Sequence, residues 1–252
     1  MYFDSHAHLD DARFDGEREE IFATLADHGV GLIMNVGCDL PSSERSVTLA
    51  ERYPFVYAAV GSHPDDAGHV DGRLLDRYRA LAAHPKVRAI GEIGLDYHYE
   101  DVPRAQQIIA FEQQLELAEA LHKPVIVHER EAHADAMAIV RRHPDVRGVF
   151  HCFSGAKELA LWLVERGWYI GFTGVLTFKN ARKAVEVAQA LPLDRILIET
   201  DCPYMAPEPY RGRRNDSRYV PLVAKKLAEL RELTPEEAGR ITTENARRLY
   251  GI

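Results

Sequence analysis

The chain has 252 residues, 46% of them hydrophobic, and a formal net charge of −8. That is enough apolar material for a large core, which excludes a disordered chain, and the length is ordinary for one α/β barrel. The negative charge speaks against a broad nucleic-acid-coating surface, though not against a site that grips one strand end with a few local cations.

The opening "DSHAHLD", residues 4–10, follows a predicted strand, Tyr2–His6. Alternate side chains of a strand point the same way, so His6 and His8 share one face. Further apolar, β-branched runs predict strands at Leu32–Gly37, Phe55–Gly61, Val87–Glu92, Pro124–His128, Gly148–His151, Tyr169–Thr173 and Arg195–Asp201. Several are reached by one kind of join, as in "ERYPFVYAAVG", "LHKPVIVHE" and "ALPLDRILIETD": a helical stretch, a proline, then the apolar run. Proline stops a helix because it lacks an N–H and clashes with the preceding turn. A short apolar run after it reads as a parallel strand covered on both faces. Amphipathic stretches alternate with these runs; in "RAQQIIAFEQQLELAEALHK", Ile108, Phe111, Leu115 and Ala118 recur at helical spacing. Two helices, Tyr219–Arg231 and Pro235–Tyr250, end the chain, the second announced by the cap "TPEE".

Eight strand–helix alternations predict a single-domain TIM-like (β/α)8 barrel over residues 1–252. The runner-up is an open doubly wound sheet; no GxGxxG follows the first strand, which weakens its nucleotide-binding version. No apolar run reaches about 18 residues, so no membrane span is expected. The first ten residues lack the layout of a secretory signal. Cys38, Cys152 and Cys202 form no CxxC pair and read as reduced thiols, so the expected location is cytoplasmic.

In a barrel of this kind the chemistry sits at the carboxyl ends of the strands. Those ends carry His6 and His8, His63 in "GSHP", Glu92 in "GEIGLD", His128 in "VIVHER", His151 in "VFHCFSG" and Asp201 in "IETDCP". So many metal-capable groups on apolar strands point to a metal site. Six ligands, His6, His8, Glu92, His128, His151 and Asp201, exceed what one tetrahedral zinc takes. Two ions sharing a carboxylate would use them. Imidazole with carboxylate suits zinc, manganese, iron or nickel, whereas magnesium prefers oxygen. Two ions about 3.5–4 Å apart activate water and clamp the attacking and leaving oxygens, which is the chemistry of ester, amide and phosphodiester hydrolysis.

Other residues carry two readings each. His63 is a phosphate or outer contact, or a capped strand end. Arg130 grips a phosphate, or pairs with Glu129 or Glu131. "YRGRRNDSR", with Arg211 and Asn215, is a substrate rim or a solvated loop. Glu199 shares the face of Asp201, beneath the metals or in a structural ion pair. His84, His122 and His143 stand at helix ends and read as structural.

Together "DSHAHLD", "VGSHPDDA", "GEIGLDYH", "FEQQLELAEALHKPVIVHER", "HCFSG", "ETDCPY" and "ENARRLYGI" resemble the TatD-related deoxyribonuclease family, a branch of the metal-dependent hydrolase (amidohydrolase) superfamily. The resemblance runs in order along nearly the whole chain. It implies His6 and His8 as the opening ligand pair, Glu92 as a bridging carboxylate and His128 and His151 as histidines of the second ion. It implies Asp201 as a metal ligand that handles the proton of the nucleophilic water, which makes Asp201 and Glu92 the catalytic pair. It implies two divalent ions, Mg2+ by family habit, with Zn2+, Mn2+ or Ni2+ compatible with the ligand set. The implied substrate is nucleic acid, with 3′–5′ exonuclease action on single-stranded DNA ends; no membrane or protein partner is implied. D-aminoacyl-tRNA deacylation, or another ester or amide hydrolysis on the same site, is the alternative, and a scaffold that kept a dead barrel is the non-enzyme reading. One departure is Ser217, where the family commonly has the proline of Asn-x-Pro.

Overall fold

The computed structural model describes residues 1–99 and 101–252. Eight strands form one sheet in the order β1-β2-β3-β4-β5-β6-β7-β8, and each pairing between strands given below is parallel. Sequential order with a helix between strands is that of a TIM-like (β/α)8 fold. A doubly wound sheet would instead reverse its order at a switch point. The chain divides into two compact units, residues 1–35 with 151–252, and residues 36–150. Among the described residues no helix is long and apolar enough to cross a membrane.

The first unit contains β1 (Tyr2–Ala7), α1 (Arg18–Thr24), most of β2 (Val30–Val36), α6 (Lys157–Glu165), β7 (Tyr169–Phe172), α7 (Arg182–Ala190), β8 (Ile196–Ile198), α8 (Val220–Arg231) and α9 (Pro235–Tyr250). β1 pairs with β2 through Phe3↔Leu32 and Asp4↔Ile33, and β7 with β8 through Gly171↔Leu197. Past the end of β8 the chain returns to β1: Asp201 N donates to His6 O at 2.9 Å, and His8 N to Cys202 O at 2.9 Å. First and last strands therefore meet where the chemistry-bearing side chains stand. α9 begins as its sequence predicts, with Thr234 and Glu237 forming a reciprocal capping box. Its far end packs under β1, where Tyr250 Oη donates to Ser5 O.

The second unit contains α2 (Leu40–Arg52), β3 (Val56–Val60), α3 (Gly72–Ala82), β4 (Val87–Asp96), α4 (Arg104–Ala120), β5 (Val125–Arg130), α5 (His133–Arg142) and β6 (Gly148–Phe150). β4 runs four residues beyond the predicted end at Glu92. Its extension pairs with β5 through Gly94↔His128, Leu95↔Glu129 and Asp96↔Arg130. Gly94 permits this: its φ is +144°, and a Cβ there would lie 2.0 Å from the His128 carbonyl oxygen.

Candidate metal centre

In the first unit, β1 sends His6 and His8 to the same side, and their Nε2 atoms lie 3.0 Å apart. Two imidazole nitrogens this close need a proton or a cation between their lone pairs. Asp201 Oδ1 lies 3.8 Å from His6 Nε2 and 3.5 Å from His8 Nε2. The point equidistant from these three atoms is about 2.0 Å from each, which matches zinc–imidazole and zinc–carboxylate bonds. The His151 ring stacks on His6 at 4.0 Å, and its Nδ1 lies 3.5 Å from Glu199 Oε1. Ligand atoms of His6, His151 and Glu199 all lie within 4.8 Å of one another. The donor set and spacing fit a divalent ion.

The turn after β8 holds Asp201 in place. Its φ is +55°, a left-handed conformation that costs a non-glycine residue about 1–3 kcal/mol and recurs at functional sites. Glu131 and Cys152, just past β5 and β6, share it with φ +56° and +42°. Asn215 fixes the Asp201 turn from behind: its Nδ2 donates to Thr200 O at 2.8 Å and Tyr204 O at 2.7 Å. Burial pushes the Asp201 carboxyl up, but a hydrogen bond from His8 and the nearby His151 and His6 outweigh this and hold it below the usual range.

In the second unit, His128 stands between two carboxylates. Its Nδ1 lies 2.8 Å from Glu92 Oε1 and its Nε2 lies 3.1 Å from Asp96 Oδ2. His63 Nε2 lies 3.8 Å from the same Glu92 oxygen, and its ring meets that of His128 edge-on at 4.4 Å. Ligand atoms of His63, Glu92 and His128 form a second group within 4.8 Å. An imidazole that binds a metal through one nitrogen donates its other N–H to an orienting carboxylate. Asp96 is placed for that second task. Burial raises the Asp96 carboxyl, and the hydrogen bond from His128 with other donors brings it below its ordinary value.

The structure thus gathers His6, His8, His151 and Asp201 in one unit and His63, Glu92 and His128 in the other. The proposed substrate contacts are placed differently. Arg130 is half-buried and stacks its guanidinium 5.1 Å over Tyr99. Its suggested carboxylate partners are occupied elsewhere: Glu129 accepts from Ala132 N and meets His133, while Glu131 faces His98. Arg211 is exposed and lies 4.2 Å over Phe178. Asn215 is fully buried, its amide turned inward as described. Glu199, read two ways from sequence, is buried, accepts from Cys152 N at 2.6 Å and faces His151.

Two carboxylates were not singled out from sequence. Asp96 was hidden by the expected strand end at Glu92. Asp4 lies on the His6 face by the period of two, which was its available signal. It accepts from Thr200 N, Thr200 Oγ1 and Ser217 Oγ at 2.8, 2.6 and 2.6 Å. Burial pushes the Asp4 carboxyl up to about 7 despite these hydrogen bonds.

The family profile described as "TatD related DNase" matches residues 3–251. The chain belongs to the TatD-related DNase family. A Bacillus subtilis member described as an uncharacterized metal-dependent hydrolase, YabD, is 44% identical over 254 residues, covering 100% of both chains. A Cronobacter sakazakii member described as a 3′-5′ ssDNA/RNA exonuclease, TatD, is 36% identical, covering 98% of this chain and 97% of its own. The crystal structure of YjjV, a TatD homolog from Escherichia coli K12, superposes with a TM-score of 0.93 at 32% identity, covering 100% of this chain and 98% of that one. As a member of the TatD-related family, the protein is a metal-dependent hydrolase, and its His and carboxylate groups supply a centre compatible with one or more divalent ions.

Proposed function

We propose that this TatD-family hydrolase is a 3′–5′ exonuclease acting on the ends of single-stranded DNA, with residues 1–252 serving one enzyme in the reducing cytoplasm. The observation that carries the reading is the His6–His8–Asp201 triangle, whose three donor atoms share a point at metal-bonding distance. The Cronobacter relative described as an exonuclease supports the substrate class. His6, His8, His151 and Asp201 would serve as ligands within the first unit, and Glu92 and His128 within the second.

Such ions, when bound, lower the pKa of a water and polarise a phosphoryl oxygen. The chain's own groups do the rest. Asp201 accepts the proton of the attacking water. Glu92 and His128 hold each other in register, and Asp96 fixes the His128 ring. Arg211, which makes no ion pair among the described residues, brings an uncompensated charge that a phosphate takes up. Imidazole-rich ligation favours Mn2+, Zn2+ or Ni2+ over the Mg2+ of family habit.

The test is a parallel assay of the purified, metal-loaded protein on 5′-labelled single-stranded DNA and on D-aminoacyl-tRNA. Stepwise shortening from the 3′ end, with the aminoacyl ester left intact, is the expected result. Release of the amino acid with the DNA untouched would replace the nuclease reading by the ester one.

A further inference from the structure

Among the described residues the large exposed apolar side chains are Met1, Tyr99, Ile109, Tyr204 and Met205. Two of them, Tyr204 and Met205, lie three and four residues after Asp201, in the loop that leaves β8. Tyr204 is 51% exposed. Its N–H donates to Asp201 O at 2.9 Å, closing a β-turn that keeps the two Cα atoms within about 7 Å. A ring on that turn moves with the aspartate.

The ring is braced on one side. The Arg13 guanidinium lies 4.4 Å over Tyr204. Asp11 grips the same guanidinium twice, through Nε at 2.9 Å and Nη2 at 2.7 Å. Arg13 is therefore a neutralised flat plate that stiffens the ring. The arginines that follow in sequence divide by their partners. Arg214 pairs with Glu17 and Arg218 with Asp216. Arg211 and Arg213 have no carboxylate partner among the described residues, and rest on Phe178 at 4.2 Å and Tyr210 at 5.9 Å. In a chain of net charge −8, a propped, exposed ring followed seven and nine residues later by two uncompensated guanidiniums fits a ligand with both an anionic and a flat part.

We infer that Tyr204 is the stacking platform for the base of the substrate's terminal nucleotide, with Arg13 as its brace. This rests on the nuclease reading and adds to it a subsite for the base. Stacking tolerates every base, because each has a π face, so the subsite favours nucleotides without choosing a sequence.

The test uses the full-length, metal-loaded protein and two single-stranded oligonucleotides that differ only at the cleaved end, one with thymine and one with a tetrahydrofuran abasic residue. The readout is the ratio of their kcat/KM values for wild type, Tyr204→Phe and Tyr204→Ala. The expected ratio is about tenfold in wild type, kept in Tyr204→Phe and falling toward one in Tyr204→Ala. A wild-type ratio near one, or a ratio unchanged in a folded Tyr204→Ala, overturns the inference. The wild-type ratio needs no variant, so misfolding of Tyr204→Ala would not protect it. Failure to shorten either oligonucleotide with any metal overturns the nuclease reading itself, and this subsite with it.

Discussion

Asp96 Oδ2 lies 3.1 Å from Nε2 of His128, on the far side of the ring from Glu92. The contact exists because β4 continues past Glu92 and places Asp96 opposite Arg130 in the ladder with β5. It gives His128 a fixed orientation without using the nitrogen that faces Glu92. Outer carboxylates of this kind sustain metal affinity although they are not ligands. Asp96→Asn should therefore fold normally and bind Mn2+ or Zn2+ about 10–100-fold more weakly, as read by metal titration of chelator-stripped protein.

Ser217 stands where the family pattern has proline, and its Oγ donates to the buried Asp4 at 2.6 Å. Asp4 belongs to β1, two residues before His6. Removing the donor leaves a buried acceptor short of one partner. Ser217→Ala is expected to cost ~1–3 kcal/mol in denaturant unfolding. Ser217→Pro, which restores the family residue, removes the same hydroxyl and should cost stability too.

Gly94 is the backbone's point of closest approach to His128. An added Cβ would meet the His128 carbonyl oxygen at 2.0 Å, in a φ region that L residues rarely adopt. Gly94→Ala should destabilise the protein by ~3–5 kcal/mol, and thermal unfolding would show the loss.

Hydrogen bonds from Arg13 hold the Asp11 carboxyl down at about 2. A depressed folded-state value contributes stability above the unfolded value, near 4, and that stability disappears as pH falls through about 2. Arg13→Gln should release Asp11 toward its ordinary range. The stability gap between wild type and variant should then be present at pH 6 and shrink between pH 4 and pH 2. Both side chains are partly exposed, so the gap should be small and diminish with added salt.

Much of this was legible in the sequence because the signals were local. Proline-marked joins announced the strands, and period-two spacing put His6 and His8 on one face before any partner was known. The TPEE cap located the start of α9 at Pro235, where the structure has it. Asp96 was not legible because glycines interrupt "GEIGLD" and hide how far the strand runs. Asp4 was not, because a carboxylate buried at 0% exposure inside a strand looks like any acidic residue near a loop. Asn215 read as a polar rim residue; its contacts to Thr200 and Tyr204 depend on a long loop folding back on itself, which no local pattern encodes.

The most direct measurement of the proposed exonuclease activity is nucleotide release from 3′- and 5′-labelled single-stranded DNA. Chelator-stripped wild type and Asp201→Asn would be compared after adding back Mg2+, Mn2+ or Zn2+, with folding checked by circular dichroism. Wild type should shorten the DNA from the 3′ end in a metal-dependent way, and a folded Asp201→Asn should lose this. No shortening with any metal, in wild-type protein shown to bind that metal, would contradict it, as would undiminished shortening by the variant.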